Sequence, residues 1–198
     1  MALEIDNIKT KVLTSKRYIH PRLRNIPLYC DIFGLDFESA FRDTALVTVV
    51  SGPYGICSSK EYIWISCNSF VSKIDRVSNE VVGTVTVGLN PYGICFDGRY
   101  IWVTNLGSDN VSKIDSFIDV VVGTVTVGVD PRGICFDGKY IWVANYTSGN
   151  VSKIDAGTNA VVGTVTTGSG SRGICFDGKY IWVANYASDS VSKFLAGE

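Results

Sequence analysis

The stretch RGICFDGKYIWVANYTSGNVSKIDAGTNAVVGTVT, Arg132 to Thr166, decides the fold. It reads as four short strands, here called a to d, joined by turn residues. Strand a covers Arg132 to Phe136 and ends in Asp137-Gly138, a strong hairpin signal where apolar runs flank it. Strand b, Tyr140 to Asn145, is made largely of the aromatic and β-branched residues that suit a pleated surface. The loop Tyr146-Thr147-Ser148-Gly149 leads to strand c, Asn150 to Asp155, and the turn Ala156-Gly157-Thr158-Asn159 to strand d, Ala160 to Thr166.

Outward from this stretch the unit repeats. Ile94-Cys95-Phe96-Asp97-Gly98 recurs from Ile134 and again from Ile174, a period of 40 residues, and a worn copy begins at Gly55-Ile56-Cys57. Trp64, Trp102, Trp142 and Trp182 keep step, as do the Val-Ser-Lys triplets headed by Val71, Val111, Val151 and Val191. The first copy is two residues shorter between Trp64 and Val71. Four strands in each such unit, with tight turns, are the blade of a β-propeller. No copy carries the 3.6-residue apolar period of a helical solenoid. The fold class is therefore all-β, with blades over about 52–88, 90–128, 130–168 and 170–194.

The ends of the array are out of step. The last copy stops after strand c, at Val191-Ser192-Lys193-Phe194, and lacks strand d. Ala45 to Val50 stands alone before the first copy and aligns with Gly83 to Gly88, so that Val47, Thr48 and Val49 match Val85, Thr86 and Val87. This predicts a propeller of four four-stranded blades over 44–198, closed by an N-terminal strand at 45–50 that completes the last blade. A closed ring leaves no open sheet ends. The alternative donor of that strand is a second copy of the chain, which gives a homo-oligomeric ring of eight blades by strand exchange.

The segments Tyr140 to Asn145, Val151 to Asp155 and Val161 to Val165 resemble the YVTN-type and NHL-like β-propeller repeats, and the likeness spans roughly residues 45 to 194. The resemblance implies the propeller fold. It also implies a surface, sensing or interaction role, since that family mostly supplies such domains. A lyase-like propeller enzyme of related kind depends on a histidine-containing, metal-assisted site. Here the sole histidine is His20, outside every blade, so no blade supplies a histidine base or ligand. No catalytic residue, metal ligand set or cofactor is expected.

Within the blades most marked residues read as structure. The tryptophans sit among apolar neighbours on both sides and are expected to pack between blades. Cys57, Cys95, Cys135 and Cys175 hold one position on four inner strands and are expected to be free, buried thiols, with metal binding disfavoured. Cys30 and Cys67 belong to no recognised motif. Asp97, Asp137 and Asp177, each before a glycine, are turn residues, and no calcium-loop pattern surrounds them.

The loops before strand a and between strands b and c must emerge on one face, because strands alternate in direction. The first set carries Tyr54, Tyr92, Arg132 and Arg172, and the second Phe70, Leu106, Tyr146 and Tyr186. Aromatic and arginine side chains are enriched at binding hot spots, and these loops hold much of the difference among near-copied blades. They form the candidate binding face for a protein partner, a glycan or a small ligand.

Residues 1–43 lie outside the repeat as an N-terminal extension. Lys9, Lys11, Lys16, Arg17, Arg22 and Arg24 make its first half basic, and Asp31, Asp36, Glu38 and Asp43 make its second half acidic. Tyr29, Phe33, Phe37 and Phe41 recur every four residues, a stripe that would dock on the propeller flank or on a partner. Nucleic-acid binding is not expected: no accompanying motif supports it, and the net charge is −1. The first twenty residues hold no continuous apolar core of a signal peptide, and no run of about eighteen apolar residues would span a membrane. These features together suggest cytoplasmic synthesis and a non-catalytic module docked by its N-terminal arm into a larger assembly, of which a virion or phage tail is one setting.

Overall fold

Alternating strands and short turns yield the expected hairpins. The computed structural model describes residues 46–49 and 52–197, and from Val47 onward the chain forms one compact unit. The first sheet comprises β1 (Ile56–Ser58), β2 (Tyr62–Ser66), β3 (Phe70–Asp75) and β4 (Val81–Thr86). The second comprises β5 (Pro91–Phe96), β6 (Tyr100–Asn105), β7 (Asn110–Asp115) and β8 (Val120–Thr126). The third comprises β9 (Pro131–Phe136), β10 (Tyr140–Asn145), β11 (Asn150–Asp155) and β12 (Val161–Thr166). The last has only β13 (Ser171–Phe176), β14 (Tyr180–Asn185) and β15 (Ser190–Leu195). Each sheet is an antiparallel meander in chain order, and no α-helix occurs among the described residues. The unit is a β-propeller-like repeat of blade-like sheets.

Register sets what each face of a blade presents. Cys135 pairs with Trp142 and Trp142 with Lys153, so cysteine, tryptophan and lysine lie in one row across the sheet. The same row recurs as Cys57–Trp64–Lys73, Cys95–Trp102–Lys113 and Cys175–Trp182–Lys193. This forward face packs on the aliphatic rear face of the next blade. Trp64, Val71 and Val85 meet Ile94, Ile101, Val103 and Ile114, and Trp102, Val111 and Val125 meet Ile134, Ile141, Val143 and Ile154. Trp142, Ala144 and Val151 meet Ile181 and Val183. Both faces of a middle blade are buried, which is why its strands lack a polar side.

Two expectations change at the ends of the array. Residues 46–49 carry no ladder and β15 keeps an open edge, so no closing strand is found on the last blade among the described residues. The end faces are also uncovered. Ile56 is 68% exposed where its counterparts Ile94 and Ile134 are 8% and 9% exposed, and Val191 is 64% exposed where Val151 is fully buried. Trp182 is only partly buried and Cys175 is exposed, whereas Trp64, Trp102 and Trp142 are buried and Cys57, Cys95 and Cys135 are partly buried. The reason is positional, because no following blade lies on the last forward face.

Candidate functional site

Neighbouring blades approach closely along their inner strands. A Cβ on Gly55, Gly93 or Gly133 would overlap the carbonyl oxygen of Tyr92, Arg132 or Arg172 on the next blade. Ser66 Oγ donates to the Tyr92 carbonyl at 2.5 Å and Thr104 Oγ1 to the Arg132 carbonyl at 2.8 Å. These contacts fix the residues that open each inner strand.

The result is a groove of about 430 Å³ lined by equivalent positions of all four blades, including Tyr54, Tyr92, Arg132 and Arg172. The rings of Tyr54 and Tyr92 lie 5.3 Å apart at 31°, and Tyr54 is 58% exposed. Arg172 donates from Nη2 to the Tyr92 hydroxyl at 3.1 Å and lies 5.6 Å from the Tyr186 ring centroid. The Tyr92 bond raises the Arg172 pKa further, so this exposed guanidinium stays charged. Arg132 is held differently: it donates through Nε and Nη2 to both Asp130 carboxylate oxygens, at 3.1 and 3.0 Å, and stacks 3.8 Å from the Tyr146 centroid. One arginine is thus neutralised and clamped, and the other offers its charge to solvent.

The first loop set therefore converges on one groove. Of the second, Tyr146 and Tyr186 join it through the two arginines. Phe70 and Leu106 are half-buried and do not line it. The proposed docking residues Tyr29, Phe33, Phe37 and Phe41 lie outside the described residues, as does His20.

The turn aspartates gain a second role that the sequence did not disclose. Asp137 Oδ1 accepts from the backbone N–H groups of Lys139 and Tyr140, and Oδ2 accepts from Trp142 Nε1 at 2.7 Å. Asp97 and Asp177 repeat the pattern on Trp102 and Trp182. The N–H of Tyr180, the Trp182 indole and the N–H of Lys179 pull the Asp177 pKa down to about 2. Asp177 is thus a fixed anion, not a group poised to move protons near neutral pH. Burial pushes the Cys57 and Cys135 thiols up to about 12, leaving them protonated and poor nucleophiles.

Reading Val-Ser-Lys simply as strand also missed a cationic staple. Lys73 Nζ sits 4.1 Å over the Tyr62 ring and reaches the next blade's c–d turn, 2.7 Å from Asp119 and 3.3 Å from the Ser116 carbonyl. Lys113 lies 4.1 Å over Tyr100 and donates to the Ala156 carbonyl and Asn159 Oδ1 at 2.7 and 2.9 Å. Burial lowers the Lys113 pKa, so the charge needs these partners. The legible signal was a lysine recurring between apolar residues in a strand buried on both faces. Asn105 and Asn145 were missed as well. Each donates from Nδ2 to the next asparagine and serine of strand c, at 2.8 and 2.9 Å, while its buried Oδ1 has no protein partner.

Fold and groove together define a class, the propeller-like repeat proteins. No protein-family model matches the sequence, and no curated protein does. Among solved structures, the chain is similar to hydrazine synthase of Kuenenia stuttgartiensis, with 27% identity and a TM-score of 0.68 over 78% of this chain and 49% of that one. It is also similar to the computationally designed protein Ika4, with 10% identity and a TM-score of 0.69 over 77% of this chain and 96% of that one. A functionally unknown protein from Desulfotomaculum acetoxidans superposes with 15% identity and a TM-score of 0.64 over 78% of this chain and 59% of that one. The chain thus spans about half the length of the hydrazine synthase chain it resembles.

Proposed function

We propose that the protein is a non-catalytic interaction module, a YVTN/NHL-like β-propeller that presents the Tyr54–Tyr92–Arg132–Arg172 groove to a partner. The observation that carries this reading is the groove itself. Near-identical blades differ at the opening of the inner strand, and the differing residues are aromatic or cationic and converge on one groove. The blade aspartates are engaged in turns and indole bonds, which supports binding over catalysis. Residues 1–43 dock the module into a larger assembly, with a virion or phage tail as a fitting setting.

The test is sedimentation of the tagged full-length protein in an extract of its source. Deleting residues 1–43 should release a folded unit from a large assembly, and Arg172→Ala should weaken retention. Unchanged sedimentation of both variants refutes the reading. A second reading, glycan binding, is favoured by the exposed Tyr54–Tyr92 pair, which offers a sugar-stacking surface beside a charged Arg172. Glycan-array signal lost on Tyr54→Ala supports it, and a blank array rejects it.

A further inference from the structure

The two ends of the array are complementary by construction. The uncovered forward face of the last blade carries Trp182, Val191 and Lys193 in the register that Trp142, Val151 and Lys153 hold one blade earlier. The uncovered rear face of the first blade carries Ile56, Ile63 and Ile65, equivalent to Ile94, Ile101 and Val103, which the preceding blade buries. One kind of interface occurs three times inside the chain, and each half of a fourth stands exposed at opposite ends. We propose that a second copy of this chain covers both ends, head to tail, to complete a ring of eight blades.

Three observations select that occupant. First, the four blades do not close on themselves. Closure within one chain would bury Ile56 and Val191, yet both are well exposed. Two copies supply eight blades, within the usual range of about 4–8. Second, the contacts between copies are already specified. Gly173 is the fourth member of the close-approach series, and a Cβ there meets only Ala184 at 3.8 Å, so the space reserved at Gly55, Gly93 and Gly133 stands open. Lys193 lies 3.9 Å over Tyr180, as its counterparts lie over Tyr62 and Tyr100, and would donate to Asn79 and the Arg76 carbonyl of the second copy. Asn79 holds the positive-φ turn position that Asp119 and Asn159 hold in the two blades already stapled.

Third, a cavity of about 550 Å³ lies between the third and fourth blades, lined by Trp142, Lys153, Val162, Val165, Phe194 and Leu195 among others. It marks the place where an outer strand of the fourth blade belongs. In chain order each outer strand precedes the inner strand of the following blade, and residues 45–50 precede the first blade in the same way. In an eight-blade ring residues 46–49, which carry no ladder here, would pair with the open edge of β15 in the other copy. The assembly also joins two four-residue grooves into one channel mouth, with four tyrosines and four arginines.

Light-scattering mass of the full chain is expected at twice 21.5 kDa, with Cys175 as protected from iodoacetamide as Cys135 by peptide mapping. Gly173→Ala and Ile56→Asp, each blocking one end, should give 21.5 kDa species with unchanged far-ultraviolet circular dichroism and an alkylatable Cys175. Mixing the two variants should restore the doubled mass, because one intact interface remains; Ile56→Asp keeps the test open should the glycine variant misfold, and the reverse. A wild-type mass of 21.5 kDa overturns the proposal, whether Cys175 is protected or not. So does a doubled mass that survives both substitutions, or a ladder of larger masses that marks an open polymer.

Discussion

Replacing Asp137 by alanine should cost far more than a surface turn residue normally does. The carboxylate closes the β9–β10 hairpin and accepts the indole N–H of Trp142, which is 1% exposed. Losing a charged hydrogen bond costs about 1.5–3 kcal/mol, and a buried donor left without a partner costs about 1–3 kcal/mol. The backbone N–H groups of Lys139 and Tyr140 can turn to water and add little. The two larger costs overlap, so about 2–4 kcal/mol is expected in total. For a chain of this length that is a fall in Tm of roughly 5–15 °C. The natural comparison is Trp64, whose indole donates to Ser59 Oγ at 3.3 Å; Asp137→Ser should therefore lose about half as much as Asp137→Ala. Asp177→Ala should cost far less than Asp137→Ala, because the partly exposed Trp182 indole can bond water instead. Urea melts by tryptophan fluorescence, run in a Gly173→Ala background to hold subunit state constant, give the midpoints at unchanged slope. An Asp137→Ala midpoint within about 0.5 kcal/mol of the parent refutes the reasoning, as does equal loss at Asp137 and Asp177.

Further outcomes follow from other contacts. Gly93→Ala should destabilise by about 4 kcal/mol or more, since its Cβ overlaps the Arg132 backbone carbonyl, while Gly173→Ala leaves the subunit's own urea midpoint unchanged. Lys113→Ala should expose the second-to-third blade seam and lower stability by about 2–4 kcal/mol; hydrogen exchange in β8 and β9 would report it. Cys57 and Cys135 hold their protons up to about pH 12, so their contribution is full below about pH 9 and is lost as pH rises towards 12. Each thiol adds at most about 1.4 kcal/mol per pH unit, and a Cys57→Ala/Cys135→Ala chain should show a flatter alkaline profile in pH-dependent melts. An identical profile would count against burial as the cause.

Much of the fold was legible because the repeat averages over noise. The third blade's strands b and c fall at Tyr140–Asn145 and Asn150–Asp155, as the turn residues place them, and strands a and d differ by one residue at one end. What could not be read were features that depend on the partner across a seam. Nothing local says that Lys113 ends 2.7 Å from the Ala156 carbonyl, 43 residues on, or that Asp137 accepts an indole bond. The groove was half legible. Strand alternation places the four inner-strand openings on one face, yet the difference between a clamped Arg132 and an exposed Arg172 depends on Asp130. The fourth blade has Ser169-Gly170 where the third has Val129-Asp130, so its arginine has no carboxylate two residues before it.

That single difference shows how a copied blade acquires individuality. Seam residues such as Gly133, Trp142 and Lys153 are constrained by the next blade, so a change there disturbs two sheets at once. The side chains of Tyr92, Arg132 and Arg172 face the groove while only their backbone carbonyls hold the seam, so substitution there changes recognition at little cost to the array. The exposed ends obey the seam rule even though no blade lies against them: Gly173, Trp182, Val191 and Lys193 retain the seam sequence while facing solvent. A solvated face is better served by polar side chains than by a valine that is 64% exposed, and its edge needs no reserved glycine. Seam chemistry kept at both ends is physically coherent when the seam continues into another copy.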